Sequence, residues 1–334
     1  MSTTTPTKAT TTSSELIFEV ATGFMAAKYL FVATNIGIFE AADESGATLD
    51  ELAERTGVSR RTVRIVADAA AVLGFLEVDD GSGIYRNAPA AEAFLSGRGP
   101  GDLRSICRLF DRLSYPAWRR LEEAALTGGG VVPTYSPEEQ AIYSPGVEAF
   151  TRPTAAALAT VYDFARHRRL LDVGGGTGSF LIPALGAAPD LSATLLELPE
   201  VVELARERLS DAGLASRVDV VAGDAFGALP AGHDVVLVAN LLHLFDGDRA
   251  AALVAHLRGA VEVGGRLLLV DFWTDAGHRS PATAALMAGE FLVHAGGDVF
   301  SVDEGQGWLE ASGWSVVAHE PLDSPISLLI AEAR

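Results

Sequence analysis

Two strand-like runs near the carboxyl end, "WSVVAHEPL" and "ISLLIAEA", are separated only by "DSP". Three residues cannot carry a crossover helix, so these runs must pair antiparallel as a hairpin. The preceding runs are spaced differently. "RLLDV", "ATLLEL", "RVDVVAG", "DVVLVAN" and "RLLLVDFW" alternate with segments of helical length. Continuous apolar strands with helices between them indicate a parallel sheet covered on both faces. Residues 161–334 therefore predict an α/β domain whose parallel sheet ends in an antiparallel terminal strand.

The first half reads differently. From Glu15 to Phe39 apolar residues recur at helical spacing (Leu16, Val20, Phe24, Ala27, Phe31), which predicts an amphipathic helix. In "TLDELAERTGVSRRTV" Thr48 and Glu51 have the spacing of a capping box, and a second helix is expected to begin near Ser59. "GFLEV" and "GIYRN" flank the turn "DDGSG" as short strands. Helix, turn, helix and hairpin spell a winged helix over residues 15–98. Such a module either places its second helix in a DNA groove or serves packing and dimerisation. The second helix continues as "VADAAAVLGFL", a small and apolar face suited to protein packing. Residues 99–160 are expected to be mainly helical, a linker that brings aromatics such as Trp118 and Tyr143 toward a pocket.

Composition narrows the classes. A chain of 334 residues suits two domains. Its formal net charge of −19 opposes the phosphate neutralisation that nucleic-acid binding relies on. No unbroken apolar run approaches the roughly 18 residues of a membrane span. The leader "MSTTTPTKATTTSS", residues 1–14, is polar and expected to be disordered, not a signal peptide. Cys107 is the only cysteine, which excludes an internal disulfide and a cysteine-built zinc site. These features predict a cytoplasmic protein with no membrane or nucleic-acid partner.

The candidate site begins at "LLDVGGGTGSF", residues 170–180, where four glycines fall within five positions. In an open α/β sheet a ligand lies beyond the carboxyl ends of the strands, where the strand order reverses. Dinucleotide sites use G-x-G-x-x-G to seat a pyrophosphate on a helix end. Here the spacing is G-x-G-x-G, and the ligand expected is S-adenosylmethionine, which has no phosphates. Its aminoacyl tail would lie by Asp172, Gly174, Gly175 and Gly176. Glu197, followed by Leu198, closes the second strand where an acid can accept both ribose hydroxyls. After the third strand, "GDAF" (Gly223, Asp224, Ala225, Phe226) is expected beside adenine; a turn cap with a core aromatic is the alternative. Asn240 ends the fourth strand.

Together, "DVGGGTG", the Leu-Pro after Glu197, "GDAF" and "LLHLF" resemble the small-molecule O-methyltransferases of the plant-caffeate and bacterial-antibiotic type, over most of the chain. The resemblance implies the class I methyltransferase fold, a winged-helix dimerisation domain and a homodimer. It implies methylation of aromatic hydroxyls or related natural-product groups, with S-adenosylhomocysteine as product and no metal. It further implies that His243 is the general base and that Asp271, after the fifth strand, orients it. A second acid is expected shortly after Gly296-Gly297. Val299 stands at that position, so Asp298 or Glu304 would have to substitute.

The acceptor is expected near "LMAGEFLVHAGG", where Met287, Glu290, Phe291 and His294 share one helical face. Alternatives remain at this stage. His243 could be a core histidine, and Glu290 and His294 could sit on a surface helix. The methyl group could go to carbon or nitrogen. The cofactor could assist hydroxylation, decarboxylation or cyclisation. A metabolite-sensing regulator would use the same fold.

Overall fold

A computed structural model describes residues 14–99, 101–130, 135–322 and 325–334. The leader expected at 1–14 lies, except for residue 14, outside the described residues, as do 323 and 324 of the terminal turn. The chain divides into two compact units, residues 1–111 and 112–334, each described by itself.

In the first unit α1 (Glu15–Asn35) stops before Gly37, whose φ of 78° breaks the single helix expected through Phe39, and α2 (Ile38–Ala41) follows. Helix α3 (Leu49–Thr56) carries the capping box of Thr48 and Glu51, and Ser59 caps α4 (Arg60–Val72), as the spacing predicts. Strands β1 (Leu76–Asp79) and β2 (Ile84–Asn87) pair antiparallel around a turn held by Asp79, whose Oδ1 accepts from the Gly81 and Ser82 amides. Two short helices complete the unit, α5 (Pro89–Phe94) and α6 (Arg104–Leu109). Phe39, Leu52, Val63, Leu76, Tyr85 and Cys107 fill its core.

Helix α1 corrects one expectation. Its carboxyl half joins this core, but Ile17, Val20 and Phe24 are 71%, 72% and 50% exposed within the chain. Among the described residues it is also the one helix long and apolar enough to cross a membrane. Counting unbroken runs misses this, because Glu19 and Lys28 interrupt a segment that is apolar on average.

The second unit opens with α7 (Tyr115–Trp118), α8 (Leu121–Thr127) and α9 (Pro137–Val161). Ser136 and Glu139 form a capping box at the start of α9, which then continues through Pro145 and Pro153. There follow β3 (Arg169–Val173), α10 (Leu181–Ala187), β4 (Ser192–Glu197), α11 (Pro199–Asp211), β5 (Val218–Ala222), β6 (His233–Ala239), α12 (Gly247–Leu257), β7 (Val261–Asp271), α13 (Ala282–Ala295), α14 (Val302–Ala311), β8 (Trp314–Pro321) and β9 (Ser327–Ala333). The sheet order is β5-β4-β3-β6-β7-β9-β8. The five strands β3 to β7 run parallel, and β9 is antiparallel to both β7 and β8, so the expected terminal hairpin is present.

Alternation along the strands builds two cores. Leu170, Val235, Leu237 and Leu268 face one layer, while Leu171, Val236, Val238 and Leu267 face the other. Both layers are apolar because helices cover both faces, and this is why the strands read as unbroken apolar runs. Strand order reverses at β3, which has β4 on one side and β6 on the other. A crevice beyond the carboxyl ends is the expected consequence.

Candidate active site

The turn after β3 lies at that reversal. Gly174 and Gly176 have φ of 67° and 57°, a region side-chain-bearing residues avoid. A Cβ on Gly175 would come within 2.4 Å of the Asp172 carboxylate, whereas one on Gly176 would meet open space. The Gly176 amide donates to Glu197 Oε2 at 2.8 Å, and the Leu198 amide donates to Glu197 Oε1 at 2.7 Å. Glu197 thus braces the turn while keeping lone pairs for a ligand. Burial nevertheless pushes its pKa up, against the pull of those two amides.

Asp172 is fully buried, and neither carboxylate oxygen has a hydrogen-bond partner. Burial, reinforced by the charge of Glu197, raises its pKa to about 8. Asn240, one residue beyond β6, adopts a φ of 54° and leaves its buried Oδ1 unpaired, while its amide donates to the Val270 carbonyl at 2.8 Å. Buried acceptors this costly need a donor or a cation to complete them. An ammonium-bearing nucleoside fits: a cation for Asp172, hydroxyls for Glu197 and open backbone at Gly176.

The "GDAF" segment forms a turn closed by Asp224, whose Oδ1 accepts from the Phe226 amide at 2.9 Å. Gly223 abuts Leu196, and Ala225 is half-buried against the same core. The Phe226 ring meets Phe245 edge-on at 5.1 Å, with the Arg249 guanidinium over both rings. Leu198 is half-exposed beside Glu197.

His243 sits in a short turn after β6, and Asp271 ends β7. The Nδ1 of His243 lies 2.6 Å from Asp271 Oδ1, both side chains being buried. Asp271 is fixed further by three backbone amides: Phe272 donates to Oδ1 at 2.8 Å, and Leu242 and His243 donate to Oδ2 at 3.1 and 3.4 Å. A carboxylate held this way accepts the Nδ1 proton and leaves the Nε2 lone pair of His243 available. The imidazole stacks on Phe291 with centroids 3.7 Å apart, and Phe272 meets it edge-on. The structure therefore joins His243, Asp271 and Phe291, which the sequence placed on three separate elements.

The second acid is not found at His243. Val299 is buried, the Asp298 carboxylate accepts from the Val299 amide, and Glu304 closes a capping box with Ser301 and pairs with His278. Among the described residues, Asp271 alone contacts the imidazole through a carboxylate. Gly297 has another use: a Cβ there would come within 1.9 Å of the His243 carbonyl, so the Gly-Gly pair allows close packing against the histidine turn.

On α13, Glu290 is buried and receives the Trp118 indole N–H, while His294 Nε2 lies 3.2 Å from its other oxygen, in ion-pair range but outside hydrogen-bond alignment. Burial alone would raise the Glu290 pKa, but the polar groups of His294, Ser114 and Trp118 around it outweigh burial and hold the carboxyl low. This departs from a surface helix with scattered polar groups. Met287 is half-buried against the sheet. Tyr143 on α9 lies within electrostatic reach of both Glu197 and Glu290; burial and then those two charges raise its pKa. Tyr135, another aromatic of the same segment, has its ring 4.7 Å away; Phe272 and Arg249 are site neighbours that the sequence reading gives no role. Among the described residues no group of three or more His, Cys, Asp or Glu stands together as a metal site.

Comparisons with known proteins place the chain in a family. An O-methyltransferase domain model matches residues 130–315, and an O-methyltransferase dimerisation domain model matches residues 18–97. The chain is 33% identical to a 3-hydroxy-5-methyl-1-naphthoate 3-O-methyltransferase of Streptomyces sahachiroi, covering 93% of this chain and 92% of that one. It is 29% identical to the tetracenomycin polyketide synthesis 8-O-methyl transferase of Streptomyces glaucescens, over 94% and 95%. Among solved structures, the mitomycin 7-O-methyltransferase superposes with a TM-score of 0.84 at 27% identity, over 96% of this chain and 98% of that one. The chain belongs to the O-methyltransferase family and is an S-adenosylmethionine-dependent O-methyltransferase.

Proposed function

We propose that the protein methylates a hydroxyl of a small aromatic or polyketide-like secondary metabolite, with His243 as general base. The buried His243–Asp271 pair beneath Phe291 carries this reading. Support for the acceptor class comes from the relatives, whose names specify a hydroxynaphthoate and a tetracenomycin polyketide.

Bound S-adenosylmethionine supplies a methyl group on a positively charged sulfur with a good leaving group. The chain's own residues do the rest. Asp172, Gly174, Gly175 and Gly176 hold the aminoacyl tail, Glu197 the ribose, and Leu198, Gly223, Asp224, Ala225, Phe226 and Asn240 surround the base. Met287, Glu290, Phe291, His294, Trp118 and Tyr143 shape the acceptor pocket. Asp271 keeps the Nδ1 proton of His243 in place, so Nε2 faces its task as a lone pair. A neutral imidazole can take the proton of the acceptor hydroxyl as general base. Placement of the acceptor oxygen in line with the methyl group supplies the remainder of the barrier reduction.

The first unit is read as the dimer-forming module of a homodimer. Arg60 and Arg64 on α4 are engaged by Asp50 and Asp68, which favours packing over a DNA-binding role. The deciding experiment is methyl transfer from labelled S-adenosylmethionine to hydroxynaphthoate and related phenols. His243→Ala should bind S-adenosylhomocysteine by calorimetry yet lose roughly 10²–10⁴ in kcat. Full turnover in that variant would leave alignment alone and remove the base.

A further inference from the structure

Arg208, on α11, has no part in the roles above, yet its side chain reaches into the glycine turn. Its Nη1 donates to Thr177 Oγ1 at 2.7 Å, to Ser179 Oγ at 2.9 Å and to the Thr177 carbonyl at 3.3 Å. Its Nη2 lies 2.7 Å from Glu148 Oε1 on α9. Both side chains are about three-quarters buried, at 24% and 27% exposure. Burial pulls the Arg208 pKa down and the Glu148 charge opposes that pull. A guanidinium stays charged in proteins, and its planar fork lets one side chain hold several oxygens at once.

The turn is therefore gripped from two sides. Glu197 holds the Gly176 amide, and Arg208 holds Thr177 and Ser179. Both clamps come from the segment formed by β4 and α11. In the reading above, Glu197 also receives the ribose hydroxyls, so that clamp is shared with the ligand. The Arg208 clamp is not. Its other end, Glu148, lies on the same helix as Tyr143.

We infer that Arg208, anchored by Glu148, is a positioning residue for the cofactor, holding the Gly174–Gly178 turn in its binding shape whether or not a ligand is present. This rests on the cofactor reading of the preceding section. The loss of several charge-assisted hydrogen bonds leaves the glycines free to relax, and the cost appears as weaker binding rather than slower chemistry.

Calorimetry with S-adenosylhomocysteine tests this on the full-length protein, alongside thermal unfolding of each variant. Arg208→Met should weaken binding by about tenfold or more while kcat at saturating S-adenosylmethionine stays within about twofold. Arg208→Lys should restore part of the affinity, since one ammonium keeps the charge but loses the fork. Thr177→Val combined with Ser179→Ala, which leaves Arg208 and Glu148 paired, should weaken binding by about threefold or more. Folded variants that bind within about twofold of the unaltered protein would overturn the inference. If Arg208→Met does not fold, the Thr177/Ser179 double variant decides by the same criterion. If the unaltered protein itself fails to bind S-adenosylhomocysteine, the cofactor reading falls first and Arg208 has nothing to position.

Discussion

Asp172 shows most directly how a single residue couples ligand to fold. An ordinary aspartate ionises near 3.8, whereas here burial first, and then the neighbouring Glu197 charge, move the carboxyl to about 8. Between those values the folded protein retains a proton that the unfolded chain has released. Stability from this group is therefore unaffected below 3.8, falls as pH rises through the interval, and levels off above about 8. Asp172→Asn removes the titration, so its melting temperature relative to the unaltered protein should climb as pH rises through that interval. A constant difference across the interval would show that Asp172 ionises in the folded protein as it does in the unfolded chain. The sequence marked Asp172 by its place before the glycines, but its isolation from every donor follows from the burial of β3. His243 and Asp271 were pointed to by the family resemblance and not by local pattern, and the structure brings the two side chains into contact. The stacking of Phe291 on His243 was not legible, because α13 and β6 meet only through tertiary packing.

At the level of elements, the carboxyl edge of the sheet works because connections that differ in length and chemistry converge there. Gly174–Gly178, Glu197, "GDAF", the His243 turn and Asp271 end five consecutive parallel strands, and their proximity follows from the strand order alone. The Gly296-Gly297 pair belongs to this logic in a way the pattern did not reveal. It was read as a marker for a second acid, yet Gly297 serves as a contact surface against the His243 backbone. Gly297→Ala should displace the histidine turn, destabilise the protein by about 1–3 kcal/mol, and lower kcat more than it alters cofactor affinity. Unfolding in denaturant and steady-state kinetics would check both parts; a variant with unaltered stability would mean the turn can yield without cost. The path of α9 through Pro145 and Pro153 was likewise not written in local propensity, which opposes proline inside a helix.

At the scale of the whole molecule, the exposed residues of α1 set the main prediction. Phe18, Val20 and Phe24 form part of an exposed apolar face of α1, within the region matched by the dimerisation domain. A second copy of the chain is the expected cover. Light scattering should give a dimer, and Phe24→Asp should shift it toward single chains; a dimer indifferent to that change would place the interface elsewhere. By itself the sequence determined the winged-helix and α/β halves, the parallel sheet with its terminal hairpin and the glycine turn. These are encoded locally, in hydrophobic period, connection length and strand-end position. Only the tertiary structure decided that, among the described residues, Asp271 alone sets a carboxylate against His243, that Phe291 covers the imidazole, that Glu290 is a buried hub for Trp118 and His294, and that Arg208 grips the glycine turn. Such pairings join residues tens to hundreds of positions apart, and which long side chains meet depends on how helices seat on the sheet, which no local pattern records.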